Sequence, residues 1–124
     1  MNRLLIIAAL VVSSQVASTQ AVTVKLSEWK IELSRDTVRA GPVTFRVTND
    51  GAVNHAFHVR GAGVDKGTRD VPGRQSATLT VTVKAGTYEV FCPMSDESHK
   101  IAGMARTLVV IPSDSTASPK KPRN

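Results

Sequence analysis

From Val22 onward, apolar residues recur at every second position in short runs, the period of a strand that buries one face. Val22, Val24 and Leu26 alternate with Thr23, Lys25 and Ser27, and after Trp29 the phase resumes at Ile31 and Leu33. Gly41-Pro42 signals a turn, Val43, Phe45 and Val47 alternate with Thr44, Arg46 and Thr48, and Asn49-Asp50-Gly51 predicts a tight hairpin. The next strand is expected at once, with Val53, His55, Phe57 and Val59 on one face and Asn54, Ala56, His58 and Arg60 on the other. Gly61 to Ser76, rich in glycine and charge, predicts a long surface loop. Leu79, Val81 and Val83 then alternate with threonines, Ala85-Gly86 turns the chain, Tyr88, Val90 and Cys92 form an inward set, and Thr107 to Ile111 closes the domain. No stretch after Ala21 keeps helical spacing long enough for a regular helix, so the expectation is all-β, with about seven to eight short antiparallel strands. One sheet has to bury its apolar face on another, which makes the architecture a two-sheet β-sandwich.

The ends follow different rules. Arg3, the apolar run Leu4–Val12 and the small polar stretch up to Ala21 have the layout of a secretory signal peptide. Nine apolar residues rise about 14 Å as a helix, roughly half of the hydrocarbon thickness, which argues against a membrane span. The reading is therefore a signal peptide over 1–21, a domain over 22–111 and a disordered basic Pro/Ser tail over 112–124; cuts after Ala17 or Ser18 fit nearly as well as one after Ala21. The protein is expected to be periplasmic or secreted, with no membrane span once the signal is removed.

The chain has 124 residues, 41% of them hydrophobic, which allows one globular domain and excludes a multidomain enzyme. Its net charge of +6 includes Arg3 and a tail in which Lys120, Lys121 and Arg123 outweigh Asp114, so residues 22–111 carry +3. No aromatic residue interleaves the cations of the tail, so no nucleic-acid partner is expected. An exported chain with one cysteine, Cys92, has no internal disulfide to make, and its thiol must be an inert core group, a link to another chain, a nucleophile or a metal ligand.

The neighbours of Cys92 favour the last role. A strand ends in Cys92, a polar loop holds His99, and Met104 starts the next strand, giving thiolate, imidazole and thioether within a short stretch. His55, in phase with inward Val53 and Phe57, can supply a second imidazole, and two imidazoles, a thiolate and a thioether are the donors that copper takes in trigonal sites. Zinc is the rival, although structural zinc sites usually take four Cys or His ligands. His58, on the polar face, is left out of the set.

Two stretches, Phe45-Arg-Val-Thr-Asn-Asp-Gly-Ala-Val-Asn-His55-Ala-Phe and Phe91-Cys92-Pro through His99 to Gly103-Met104, resemble the ligand segments of the cupredoxins, the small blue-copper proteins of the plastocyanin and azurin kind. The resemblance covers nearly all of Val22 to Ile111. It implies a Greek-key sandwich holding one type 1 copper, with His55, Cys92 and His99 as equatorial ligands and Met104 as the axial one. Six residues separate Cys92 from His99, against two to four in the family, which leaves Met94, Asp96 or Glu97 as alternative donors. The resemblance further implies a monomeric one-electron carrier rather than an enzyme. A redox protein, such as a cytochrome or an oxidase, would dock at the exposed edge of His99, among Pro93, Ile101, Ala102 and Gly103. A copper-delivery protein without redox cycling and a metal-free sandwich used for assembly are the other readings.

Overall fold

The computed structural model describes residue 9 and residues 19–113. Most of the expected leader, and the tail from residue 114, lie outside these. Nine strands form two mixed sheets that face each other: β1 (Gln20–Ser27), β2 (Lys30–Leu33), β4 (Gly41–Asn49) and β7 (Ser76–Val83) in the order β2-β1-β4-β7, and β3 (Thr37–Arg39), β5 (His58–Gly61), β6 (Val64–Gly67), β8 (Gly86–Phe91) and β9 (Ala105–Ile111) in the order β3-β9-β8-β5-β6. The core is built by the period-two alternation. Val22, Val24, Leu26, Ile31, Val43, Phe45, Val47, Val81 and Val83 point inward from the first sheet, and Val38, Val59, Tyr88, Val90, Leu108 and Val110 from the second.

The two-sheet sandwich is as expected, and its details depart from the expected strand pattern in four places. First, the Asn49-Asp50-Gly51 step turns no hairpin: it carries the chain from one sheet to the other. Both edges of β4 are already occupied, by β1 in parallel register (Val22↔Phe45) and by β7 in antiparallel register (Phe45↔Leu79), so the residues after it have no place beside it. Second, that parallel pair and a second one, β3 with β9, replace part of the all-antiparallel expectation. Third, residues 52–57 are not a regular strand. Val53 is exposed, while His55, Ala56 and Phe57 are all buried, and His55 is held by a single bridge to Val71 (His55 N–H to Val71 O 3.1 Å, Val71 N–H to His55 O 2.7 Å). Fourth, the expected surface loop over 61–76 contains β6, which forms an edge hairpin with β5 (Val59↔Lys66). An edge strand needs backbone partners more than an apolar face, and only Val64 of its four residues is apolar.

β1 starts at Gln20, and its side chain clasps the Arg39 backbone at both ends, with Nε2–H to Arg39 O and Arg39 N–H to Oε1, each 2.7 Å. A cut after Ala21 would remove this clasp. Cuts after Ala17 or Ser18 would leave it intact.

Candidate metal centre

The three segments carrying the predicted donors meet at one end of the sandwich. His55 lies in the crossing from β4 to β5, placed there by Asn49. The side chain of Asn49 is fully buried; its Nδ2 donates to Val53 O and to Val71 O (2.8 Å each), and its Oδ1 accepts from Gly51 N–H (2.9 Å). Cys92 is the first residue after β8. Its N–H donates to Met104 O (3.1 Å), and the Met104 N–H donates to His99 O (3.1 Å), so the backbone of Met104 ties the cysteine and second histidine segments together.

His99 does not lie in an open loop. It sits in α1 (Ser98–Ala102), a single helical turn entered through Ser95, Asp96 and Glu97 at φ 55, 51 and 66°. These three left-handed residues take up the extra length between Cys92 and His99 by coiling it. The turn closes at Gly103 (φ 137°), where a Cβ would come within 2.6 Å of the carbonyl oxygen of Trp29, so this position requires glycine.

The donors converge. His55 Nδ1 lies 3.3 Å from His99 Nδ1, and Cys92 Sγ lies 4.0 Å from the first and 3.6 Å from the second. One donor atom from each of the three fits within a 4.8 Å span, and all three residues are buried. Burial pushes the Cys92 thiol up from its ordinary range, opposed by the amides of Ala56 (N to Sγ 3.4 Å) and Met94. Desolvation, with the neighbouring His55 ring, lowers His99. Both shifts have one physical meaning: without a cation the pocket disfavours charge on its own donors, and a bound cation is what would stabilise a thiolate there.

Met104 is fully buried beside this cluster, while Met94 is half-buried and packs against the core. Asp96 is exposed, the Glu97 carboxylate lies 3.7 Å from Arg60 Nη1, and neither belongs to the donor cluster. His58, the first residue of β5, pairs with Asp65 and contributes no atom to the cluster.

Two residues of the site were absent from the sequence reading. Glu28 places its carboxylate against His55, with Oε1 2.9 Å from Nε2, and the same carboxylate accepts the N–H groups of Ala52 (3.0 Å) and Val53 (3.0 Å). The two amides, followed by the imidazole, hold the Glu28 carboxyl down to about 2. Trp29, 46% exposed, sets its ring edge-on to both histidines, with centroids 4.7 Å from His99 and 6.1 Å from His55. The only trace of either in the sequence is the break in alternation between Leu26 and Ile31, which says that the chain turns there and not what it turns toward.

The family model for the cupredoxin-like domain matches residues 2–103. The chain belongs to this family. Among solved structures the cupredoxin resembles a dithionite-reduced auracyanin from Roseiflexus castenholzii (20% identity, 77% of this chain and 99% of that one, TM-score 0.64). It also resembles auracyanin A, a blue copper protein from Chloroflexus aurantiacus (20% identity, 76% and 100%, TM-score 0.62). A copper nitrite reductase from Nitrosomonas europaea shares the fold over 83% of this chain and 45% of its own (21% identity, TM-score 0.62). No curated protein matches the sequence. The family match ends one residue before Met104, so the case for that residue rests on its burial and its two backbone links.

The donor set of the cupredoxin fits copper. Two imidazoles and one thiol in a water-poor pocket, with a thioether residue packed beside them, are the soft and borderline donors of a trigonal copper site; a structural zinc site would ordinarily bring a fourth Cys or His, and the cluster found among the described residues has three.

Proposed function

We propose that this cupredoxin is an exported one-electron carrier whose single copper is held by His55, Cys92 and His99, with Met104 as the axial donor. The observation that carries the reading is the convergence of two imidazole nitrogens and one sulfur in a buried pocket. Bound there, copper would supply a Cu(I)/Cu(II) couple. The work of the protein is to hold the donors still. His55 is fixed by the bridge to Val71, His99 by a one-turn helix, and Cys92 by the ladder that joins β8 to β9, so the donor positions are set by backbone hydrogen bonds before any ion arrives. Donors that do not move between oxidation states keep the reorganisation cost of electron transfer low.

His99 is 9% exposed, less open than the family resemblance implies, and exposed apolar residues adjoin it: Trp29, whose ring lies edge-on to it, and Ile101 (84% exposed), with Ala102 and Gly103, from its own turn. This rim is where a redox protein partner would dock, bringing its own centre near His99. Export accords with the leader, and no helix among the described residues is long and apolar enough to cross a membrane.

The test is the visible and paramagnetic resonance spectrum after one equivalent of Cu(II). The proposal expects intense absorption near roughly 600 nm with narrow hyperfine splitting, as a thiolate-bound copper gives, and loss or a marked shift of that band in His99→Ala. A pale, ordinary cupric spectrum with the Cys92 thiol still titratable would overturn it.

A further inference from the structure

We propose that Glu28 is a positioning residue for the metal centre: it fixes the His55 ring in the tautomer that frees Nδ1 for a metal, and it adds a negative charge that favours the oxidised ion. The inference rests on the ligand reading above.

Glu28 sits in the turn between β1 and β2, far in sequence from every donor. Its Oε1 gathers three donors, His55 Nε2 at 2.9 Å, Ala52 N–H at 3.0 Å and Val53 N–H at 3.0 Å, and Oε2 takes a longer contact from Ala52 at 3.2 Å. The space is made by Gly51, where a Cβ would come within 2.3 Å of Oε1 and 2.7 Å of Oε2. An ionised carboxylate can only accept hydrogen bonds. A neutral His55 beside it must therefore carry its proton on Nε2, which leaves the lone pair on Nδ1. That atom is the one facing Cys92 Sγ and His99 Nδ1.

A backbone carbonyl would select the same tautomer, but a carboxylate does more. A thiolate and a carboxylate together balance the two charges of Cu(II), so the oxidised site is neutral and the reduced one carries a net negative charge. The ring bonded to the carboxylate is also a more basic ligand. Both effects favour the oxidised state. The competing account is that Glu28 only staples the 51–53 turn, in which case its charge is irrelevant to the metal.

Two variants separate these accounts. Glu28→Gln keeps an acceptor oxygen for all three donors and removes the charge; Glu28→Ala removes both. In metal-free wild-type protein, long-range ¹H–¹⁵N NMR of the histidine rings is expected to show His55 as a single Nε2–H tautomer, retained in Glu28→Gln and lost in Glu28→Ala. After copper loading, Glu28→Gln is expected to raise the reduction potential by about 59 mV for each tenfold loss of preference for the oxidised ion. A proton on Nδ1 of His55 in the wild-type protein, or a potential unchanged in Glu28→Gln, would overturn the proposal. The metal-free tautomer needs no copper, so its failure is distinct from failure of the ligand reading, which would appear as a wild-type protein without the intense band.

Discussion

Replacing Asn49 with alanine tests how the crossing between the sheets holds His55. The side chain is fully buried and makes three hydrogen bonds, to Val53 O, Val71 O and Gly51 N–H. Each partner fares differently when it is removed. Gly51 is buried, so its N–H is left without an acceptor, at a cost of about 1–3 kcal/mol. Val71 O keeps the His55 N–H and loses only one of two bonds, about 1 kcal/mol. Val53 is exposed, and water can replace the lost bond at its carbonyl with little net cost. The expected destabilisation is thus about 2–4 kcal/mol, or a fall in Tm on the order of 20 °C for a domain of this size. Urea and thermal unfolding of the metal-free protein measure it. The control is Thr48→Val, which keeps the β-branch, removes only an exposed hydroxyl contact with Ser76 (3.2 Å) and should stay within about 0.5 kcal/mol of wild type. An Asn49→Ala variant as stable as that control would refute the idea that this amide organises the crossing.

Four further outcomes are expected. In the folded metal-free protein, Cys92 should react with a thiol reagent orders of magnitude more slowly than in urea, because the sulfur is buried and its thiol pushed up; equal rates in both states would contradict this burial. Glu28, Glu32 and Asp65 all have lowered carboxyl values, held by amides, by Lys30 and by His58 respectively, so the unfolded chain binds more protons than the native one in acid. The stability they contribute is present above about pH 4.5 and is lost as pH falls through their native values, so the urea midpoint of the metal-free protein should drop on acidification toward pH 3, with a shallower drop in Asp65→Asn; a flat profile would refute these pairings. Ile101→Lys should leave stability within about 0.5 kcal/mol of wild type and slow electron exchange between copies of the copper-loaded protein, whereas an unchanged exchange rate would move the docking surface elsewhere. If the leader is cleaved, intact mass should show a start before Gln20, after Ala17 or Ser18, and a start at Val22 would show that the Gln20 clasp on Arg39 is dispensable.

Alternation over a few residues was enough to set the strands and their inward faces. Val22 to Leu26, Val43 to Val47 and Tyr88 to Val90 all bury the residues their period assigns, because a strand with one dry face repeats every second residue whatever it packs against. The sequence also supplied the candidate donors and their order, His55, Cys92, His99 and Met104, which is chemistry carried by side chains and not by contacts. What it could not hold was decided by pairing between distant segments. Asn49-Asp50-Gly51 has the composition of a hairpin, yet the step crosses between sheets because β1 and β7 already flank β4, and β6 exists because β5 had a free edge. Glu28 and Trp29 reach the histidines only through the register that lays the β1–β2 turn beside the crossing. The reason is physical: alternation and donor chemistry are written in a few consecutive residues, whereas which backbone edge is free, and which carboxylate faces which imidazole, depends on every strand placed before it.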